Sequence, residues 1–438
     1  MKKIAILGAG AAGLCAAKHL TTNGFNVTVF EKGTQIGGLW VYENDNGLSP
    51  AYRSLHVNSE NRVTAYVDFP FPSDAPLYPN HHQMAAYLQS YARHFDLVRH
   101  IRFQSEVESI TRSGASDTPI WWVKTKDAEL ERFDAVVVAS GHQGEPLHPP
   151  FASDFTGEYL HSHLYRIPEP FGEKRVVVVG VGNSACDIAA DICTHAKSTT
   201  IAARSPVLLM PRMLFGMPTS RTLAKIEKPW VPWPIKRFFR GLIARTVHGT
   251  MEQWGFRTPT RQTHPAGHHL LIGHFVWDRI RAKPGVRTVQ GKDVIFEDGS
   301  IETFDTMIAA TGYKVHLPFL QADLSPIDGP RLNLYHRVVH PFQEGLYFMG
   351  FFNVSGGGNI RMMDDQAQWI VSILTKKSRL PSQEVMLGAI ASERKTIRKR
   401  YPDSPRYGLE LDPADYRQQL KKLQNMGRSF NRFVTSRK

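Results

Sequence analysis

Two glycine-rich turns, Gly8-Ala9-Gly10-Ala11-Ala12-Gly13 and Gly180-Val181-Gly182-Asn183-Ser184-Ala185, each follow an apolar run, Ile4-Ala5-Ile6-Leu7 and Val176-Val177-Val178-Val179. A buried strand entering such a turn and leaving as a helix is a dinucleotide-binding unit. The first glycine permits the tight turn, the second lets backbone approach a pyrophosphate, and the third packs helix on strand, a place where alanine such as Ala185 is tolerated. The helix that follows aims unpaired N–H groups and the positive end of its dipole at the phosphates, so no lysine is required. Two units of this kind imply two nucleotides and electron transfer between them.

The residues at the ends of the next strands separate the two sites. Val27-Thr28-Val29-Phe30 ends at Glu31 and Lys32, about twenty residues past the turn, where a carboxylate accepts hydrogen bonds from ribose hydroxyls. Thr199-Thr200-Ile201-Ala202-Ala203 ends instead at Arg204 and Ser205, and an arginine there pairs with a 2′-phosphate. The first site reads as FAD-like and the second as NADPH-like. The expected fold is α/β, two Rossmann-like domains with the NADPH domain inserted into the FAD domain.

At 438 residues the chain exceeds what a single core usually supports, and 42% hydrophobic content is ordinary for a globular enzyme. Its three cysteines, Cys15, Cys186 and Cys193, form neither a Cys-x-x-Cys pair nor a metal-ligand spacing, which disfavours a dithiol reductase. They read as buried thiols in a reducing, cytoplasmic setting. Lys2-Lys3 before an apolar stretch imitates a secretory leader, but the glycine turn and Lys18 contradict that reading. No uncharged apolar run is long enough to span a bilayer. The formal charge of +13 is partly offset by the phosphates of two nucleotides.

The expected order is residues 1–154 for the first part of the FAD domain and 155–297 for the NADPH domain, which carries a substrate-lid or membrane-facing insertion at about 208–270. Residues 298–438 form the second FAD part with a helical tail. The apolar run Phe304-Asp305-Thr306-Met307-Ile308-Ala309-Ala310, ending in Thr311-Gly312-Tyr313, is expected to mark the return to the first domain, because Phe133-Asp134-Ala135-Val136-Val137-Val138-Ala139 ends similarly in Ser140-Gly141-His142.

Residues 155–165, Phe-Thr-Gly-Glu-Tyr-Leu-His-Ser-His-Leu-Tyr, match in register the signature Phe-x-Gly-x-x-x-His-x-x-x-(Tyr/Phe) just before the second glycine turn. With Gly37-Gly38-Leu39-Trp40, Leu55-His56-Val57-Asn58, Asp68-Phe69-Pro70-Phe71-Pro72 and Ala310-Thr311-Gly312-Tyr313, the chain resembles the flavin-containing monooxygenases of the class B flavoprotein type. The resemblance covers most of the chain and is weakest at 208–270. It implies that NADPH reduces FAD, that a C4a-hydroperoxyflavin forms with O2, and that a nucleophilic amine, sulfide or indole-like small molecule is oxygenated. Related Baeyer-Villiger enzymes carry tryptophan, then proline or aspartate, where this chain has Tyr165-Arg166, which tilts the reading toward nitrogen and sulfur. Ketone oxidation and an uncoupled NADPH oxidase are the alternatives within enzymes. A binding module that merely kept a nucleotide scaffold is the rival outside them.

The resemblance makes Asn58 the active-site amide, able to orient reactants without supplying a proton; from composition alone it reads as an Asx turn. Cofactor contacts are expected from Gly8, Gly10, Ala11, Ala12, Gly13, Glu31, Lys32, Gly38, Leu39 and Trp40 at FAD. Gly180, Gly182, Asn183, Ser184, Ala185, Arg204 and Ser205 are expected at NADPH. Thr311, Gly312, Tyr313 and Gln366 complete the set, the last in a helix following Gly356-Gly357-Gly358 and carrying Asp365 where the family has glutamate. Trp40 reads either as a cofactor neighbour or as a core tryptophan. His161 is expected to be a structural joint rather than a base.

His264, His268, His269 and His274 suggest a metal, but no partner cysteines accompany them, and a lid over the site is favoured; no metal is expected. Residues 230–247 interleave aromatics and bases at helical spacing. The favoured reading closes their apolar face over a substrate tunnel, with peripheral contact to an anionic membrane the alternative. The basic run 394–400 lacks a recognition motif, so no nucleic acid is expected. A homodimer is left open.

Overall fold

The computed structural model describes residues 1–435 except 115–118, 224–225, 227, 229, 267–269, 355–357, 403 and 405–406, with side chains up to residue 424. Gly267, His268 and His269 of the histidine cluster, and Gly356 and Gly357 of the glycine run, lie outside the described residues.

Two parallel sheets of five strands organise the chain, and they repeat one plan. In the first, β1 (Lys3–Leu7) leads through α1 (Ala11–Thr22) to β2 (Asn26–Phe30). After α2 (His81–His94) come β3 (Ile101–Arg102) and β4 (Ala135–Val138). In the second sheet β5 (Glu158–His161) is an edge strand. Beside it β6 (Arg175–Val179) leads through α3 (Asn183–Ile192) to β7 (Ser198–Ala203). The insertion helix α4 (Trp233–His248) follows, then β8 (Ile280–Pro284) and β9 (Thr306–Ala309). The strand β10 (Leu346–Phe348) then joins the first sheet beside β4, giving the orders β10-β4-β1-β2-β3 and β5-β9-β6-β7-β8. Three helices end the chain, α5 (Asn359–Leu374), α6 (Gln383–Arg400) and α7 (Pro413–Thr435).

Alternation along each central strand explains the layering, because successive side chains point to opposite faces. Ile4 and Ile6 pack with helix residues such as Leu14 and Ile370, whereas Ala5 and Leu7 face Trp121, Val123 and Phe133 of an antiparallel three-stranded meander. Val176 and Val178 likewise face α3 residues Ile188 and Ile192, while Val177 and Val179 face Val294 and Phe296 of a second meander. Strands buried on both faces read as continuous apolar runs, which is why these stretches lack a polar side.

One expectation is corrected. The run expected to mark the return to the first domain does not lie in the first sheet: Thr306–Ala309 pairs in register with Val176-Val177-Val178-Val179, inside the second. Both β4 and β9 stand beside the opening strand of their own unit, so their similar endings reflect a repeated position rather than a shared sheet. The first sheet is rejoined only at Leu346–Phe348, so a boundary at 297/298 would cut through the second sheet.

Candidate active site

At the first turn Gly8 has φ of +99°, and a Cβ on it would lie 2.8 Å from the Ala139 carbonyl oxygen. A Cβ on Gly13 would lie 1.8 Å from the Gly8 carbonyl oxygen, so α1 is seated on the turn with no room for a side chain. No side chain caps α1 at Gly10, so the amides of Ala11, Ala12 and Gly13 head the helix without a side-chain acceptor there. Gly38, φ +57°, brings a second loop so near that its Cβ would stand 3.1 Å from Gly10 Cα.

Glu31 is buried behind this turn, and its carboxylate accepts hydrogen bonds from the amides of Ala9 (2.7 Å) and Gly33 (2.9 Å) and from the Asn46 side chain (3.3 Å). The donors lock its direction at the strand end. Lys32 turns outward and pairs with Glu106 at 3.0 Å. Leu39 is exposed, its carbonyl taken by the Ser49 hydroxyl, and Trp40 is half-buried against the core of the first unit. Gln366 is fully buried. Its amide oxygen accepts from the Gly350 N–H at 3.1 Å and its amide nitrogen donates to the Tyr416 hydroxyl at 2.8 Å, so it shapes backbone beside Ala12. Asp365, one residue earlier, is buried and bonded to Arg417 at 2.5 Å.

The second turn repeats the geometry. Gly180 has φ of +126°, with a Cβ position 2.4 Å from the Ala310 carbonyl oxygen, and α3 begins at Gly182 without a side-chain cap, heading Asn183, Ser184 and Ala185. Arg204 emerges exposed just past β7 with Ser205 half-buried behind it. The Arg257 guanidinium donates to the Arg204 carbonyl, setting a second cation at this strand end. Thr311, Gly312 and Tyr313 follow β9. The Thr311 hydroxyl and the Gly312 carbonyl both bond the backbone of Leu147, while the Tyr313 ring packs edge-on to His161.

A polar clasp joins the first unit to the far end of α3. Tyr165 donates to Asp191 on α3 at 2.6 Å, and Ser54 of the first unit donates to the same oxygen at 2.8 Å. Arg166 reaches the Ser49 carbonyl at 3.2 Å. His161, buried at the end of β5, accepts the His163 amide through Nδ1 at 3.1 Å and packs against His148 and Tyr313; burial pushes its pKa down to about 4. Its Nε2 is buried without a hydrogen-bond partner.

The same clasp reaches Asn58. Tyr52 donates to Asp187 of α3 at 2.8 Å, Arg212 Nη2 stands 3.9 Å from Asp187 Oδ1, and Arg212 Nη2 also donates to Asn58 Oδ1 at 2.8 Å. Arg212 is held in turn by Tyr78, whose hydroxyl donates to its carbonyl at 2.8 Å and whose ring faces the guanidinium at 5.6 Å. Burial raises Asp187 to about pKa 6, with the Arg212 charge and the Tyr52 hydrogen bond opposing it. Its Oδ1 is buried without a hydrogen-bond partner. Nearby, Ser220 and Arg221 of the insertion bond the buried Glu60 at 3.3 and 2.6 Å. Asn58 itself is exposed on the free side.

Arg212, Asp187, Asp191, Tyr52 and Glu60 were absent from the expected site. The charge of Asp187 amid the apolar positions of α3 was the one visible signal. Of the histidine cluster, His264 Nδ1 lies 3.1 Å from Glu410 and His274 packs edge-on to Trp277. A different grouping, Cys15, His19 and Asp364, draws three potential ligand atoms within 4.8 Å of one another. Burial pushes the Cys15 thiol well up, and His19 bonds Asp364 at 2.7 Å, tying α1 to α5.

The residues fit both nucleotides: two cradles that a Cβ would fill, a buried acid at one strand end, and an exposed arginine at the other. That pair of sites defines a two-nucleotide flavoprotein class. Residues 1–431 match the family described as "Flavin-binding monooxygenase-like", and the chain belongs to it. It is an oxidoreductase of this family, with FAD and NADPH as cofactors.

Among its relatives, "Flavin-containing monooxygenase 3" of Pan troglodytes is 31% identical across 92% of this chain and 79% of that protein. The solved S-allyl-L-cysteine S-oxygenase from Allium sativum superposes with a TM-score of 0.73 at 25% identity, covering 97% of this chain and 88% of the other. Cyclohexanone monooxygenase from Rhodococcus sp. Phi1 bound to NADP+ shares the fold, with a TM-score of 0.69 at 17% identity over 96% of this chain and 97% of that one.

Proposed function

We propose that the protein oxygenates a nucleophilic sulfur or nitrogen of a small molecule, using NADPH and O2. Bound FAD, once reduced by NADPH, supplies the activated oxygen. The chain's residues contribute placement, polarity and exclusion of water. The reading rests above all on Asn58, whose amide oxygen is engaged by Arg212 at 2.8 Å while the residue stays open on its other side. An amide so oriented presents its N–H2 group in a fixed direction and does not titrate, so it directs a reactant without delivering a proton. The clasp through Tyr165, Asp191 and Ser54 ties the first unit to α3, and so supports the fixed placement that hydride transfer between nucleotides requires. Tyr165-Arg166, in place of tryptophan at this joint, and the S-oxygenase likeness both favour a heteroatom substrate.

A second reading is favoured by one observation: a guanidinium stands beside Asn58, and a cation there stabilises an anionic oxygen nucleophile of the kind that attacks ketones. Product analysis with a thioether, a tertiary amine and a cyclic ketone separates the two. Replacing Asn58 by leucine is expected to abolish product, a loss of about a hundredfold or more, while flavin absorbance and NADPH consumption persist. Retained oxygenation in Asn58→Leu refutes the assignment.

A further inference from the structure

Cys15 and His19 stand four residues apart on α1, one above the other on a single face of the helix, which packs against α5. Asp364 meets them from α5. Its Oδ1 lies 3.8 Å from Cys15 Sγ and 2.7 Å from His19 Nε2, so a thiol, an imidazole and a carboxylate converge from two helices. Cysteine spacing alone conceals such a set, because its third member comes from the far end of the chain. The oxygenation proposed above uses none of the three.

Depth, aim and charge separate this group from an ordinary ion pair. Cys15 is fully buried and Asp364 is 3% exposed, while the His19 side chain keeps 13%, so the group is closed on the protein side and open at the imidazole. Gln368, one turn further along α5, donates to Asp364 Oδ2 at 2.7 Å, which leaves Oδ1 for Cys15 and His19. Metal-bound carboxylates are held by outer hydrogen bonds of this kind. A thiolate and a carboxylate beside a neutral imidazole carry two negative charges, which a divalent cation cancels, and a buried group of charges needs that compensation. Lys18, the neighbouring cation on α1, is committed to Asp68. The mixture of sulfur, nitrogen and oxygen donors suits zinc. Zn–S of about 2.3 Å and Zn–O of about 2.0 Å at a tetrahedral angle set sulfur and oxygen roughly 3.5 Å apart, close to the 3.8 Å found. Nitrogen and oxygen need roughly 3.3 Å, so the imidazole must yield by about 0.6 Å, on its open side.

We propose that Cys15, His19 and Asp364 form a zinc site that staples α1, the helix heading the first nucleotide cradle, to α5. On binding, the Cys15 thiol releases its proton to solvent and His19 carries its own on Nδ1. The ion then takes the thiolate, the imidazole Nε2 and Asp364 Oδ1, with water in the fourth position and no change of oxidation state. The site is independent of the chemistry assigned to Asn58. The FAD-loaded full chain, freed of metal by dialysis against a chelator, is titrated with zinc in competition with a chromophoric chelator, and the loaded protein is measured by zinc K-edge X-ray absorption. One ion per chain is expected, with one sulfur at about 2.3 Å in its shell and a melting temperature raised by a few degrees. Cys15→Ala and His19→Gln should each weaken binding about a hundredfold or more, and Gln368→Ala, which removes only the outer hydrogen bond, about tenfold. Flavin absorbance and metal-free melting temperature verify that the variants fold, and His19→Gln, at the open edge, carries the test if Cys15→Ala does not. Less than one ion per chain, a shell without sulfur, or undiminished affinity in Cys15→Ala or His19→Gln overturns the proposal.

Discussion

The two glycine turns are near copies, yet the residues at the ends of their second strands stand in opposite surroundings. Both helices start at an extended glycine with φ of −81°, and neither has a side-chain cap. Beyond that they diverge. The strand-end residue of the first unit, Glu31, is 3% exposed and gripped by two backbone amides and an asparagine, whereas Arg204 of the second stands in solvent. A buried, pre-directed acceptor loses little freedom on binding, which suits a cofactor that stays. An exposed arginine must be ordered at each encounter, which suits one that comes and goes. On the proposed assignment, each strand-end residue meets its nucleotide in a different state of order.

The sharpest way to break that contrast is to add one methyl group to each turn. Gly13→Ala places a Cβ 1.8 Å from the Gly8 carbonyl oxygen and is expected to yield protein without flavin, destabilised by about 4 kcal/mol or more. Gly180→Ala collides with the Ala310 carbonyl at 2.4 Å within the second unit, so it should keep the yellow flavin and lose reduction by NADPH while dithionite still bleaches it. Anaerobic absorbance spectra of the two variants check both outcomes. Loss of flavin in Gly180→Ala would mean that the units do not behave separately.

A smaller effect is expected at the strand end. Arg204→Ala removes a charge-assisted contact to a 2′-phosphate, about 1.5–3 kcal/mol, and should lower kcat/KM for NADPH roughly 10- to 100-fold while leaving NADH unchanged. Equal losses with both nucleotides would place Arg204 in general stability instead. Arg257, bonded to the Arg204 carbonyl, is the residue to remove next if NADPH preference survives.

Both turns, their strands and the acid–arginine contrast were legible in the sequence because they depend on local sterics: a strand buried on both faces reads as an apolar run, and a turn without space for Cβ reads as glycine. The placement of Thr306–Ala309 was not, since the unit repeats its own plan and two strands with the same local role have similar endings. Nor was the orientation of α4: spacing announces that a helix has an apolar stripe, while Lys236 is buried beside Asp412, far along the chain. The clasp around Asn58 escaped for the same reason. Arg212 lies 154 residues from Asn58, and an arginine in an unfamiliar insertion carries no local mark of its partner.

That clasp supplies the finest test of how the two halves communicate. Asp187 belongs to α3 of the second unit, Asn58 to the first unit, and Arg212 stands between them at 3.9 and 2.8 Å. Burial raises Asp187 to about 6, above the ordinary carboxylate value, so its neutral form is favoured by folding. The stability this contributes is fully present below the ordinary value near 4 and is lost as pH rises through about 6. Above that pH the ionised carboxylate attracts Arg212 and holds the Asn58 amide; below it the attraction fades. Product formed per NADPH consumed should therefore fall a few-fold as pH drops through about 6. In Asp187→Asn this inflection should vanish and coupling stay low throughout, with flavin reduction rates little altered. An unchanged inflection in that variant would detach Asp187 from the active amide and leave the clasp a purely mechanical seam.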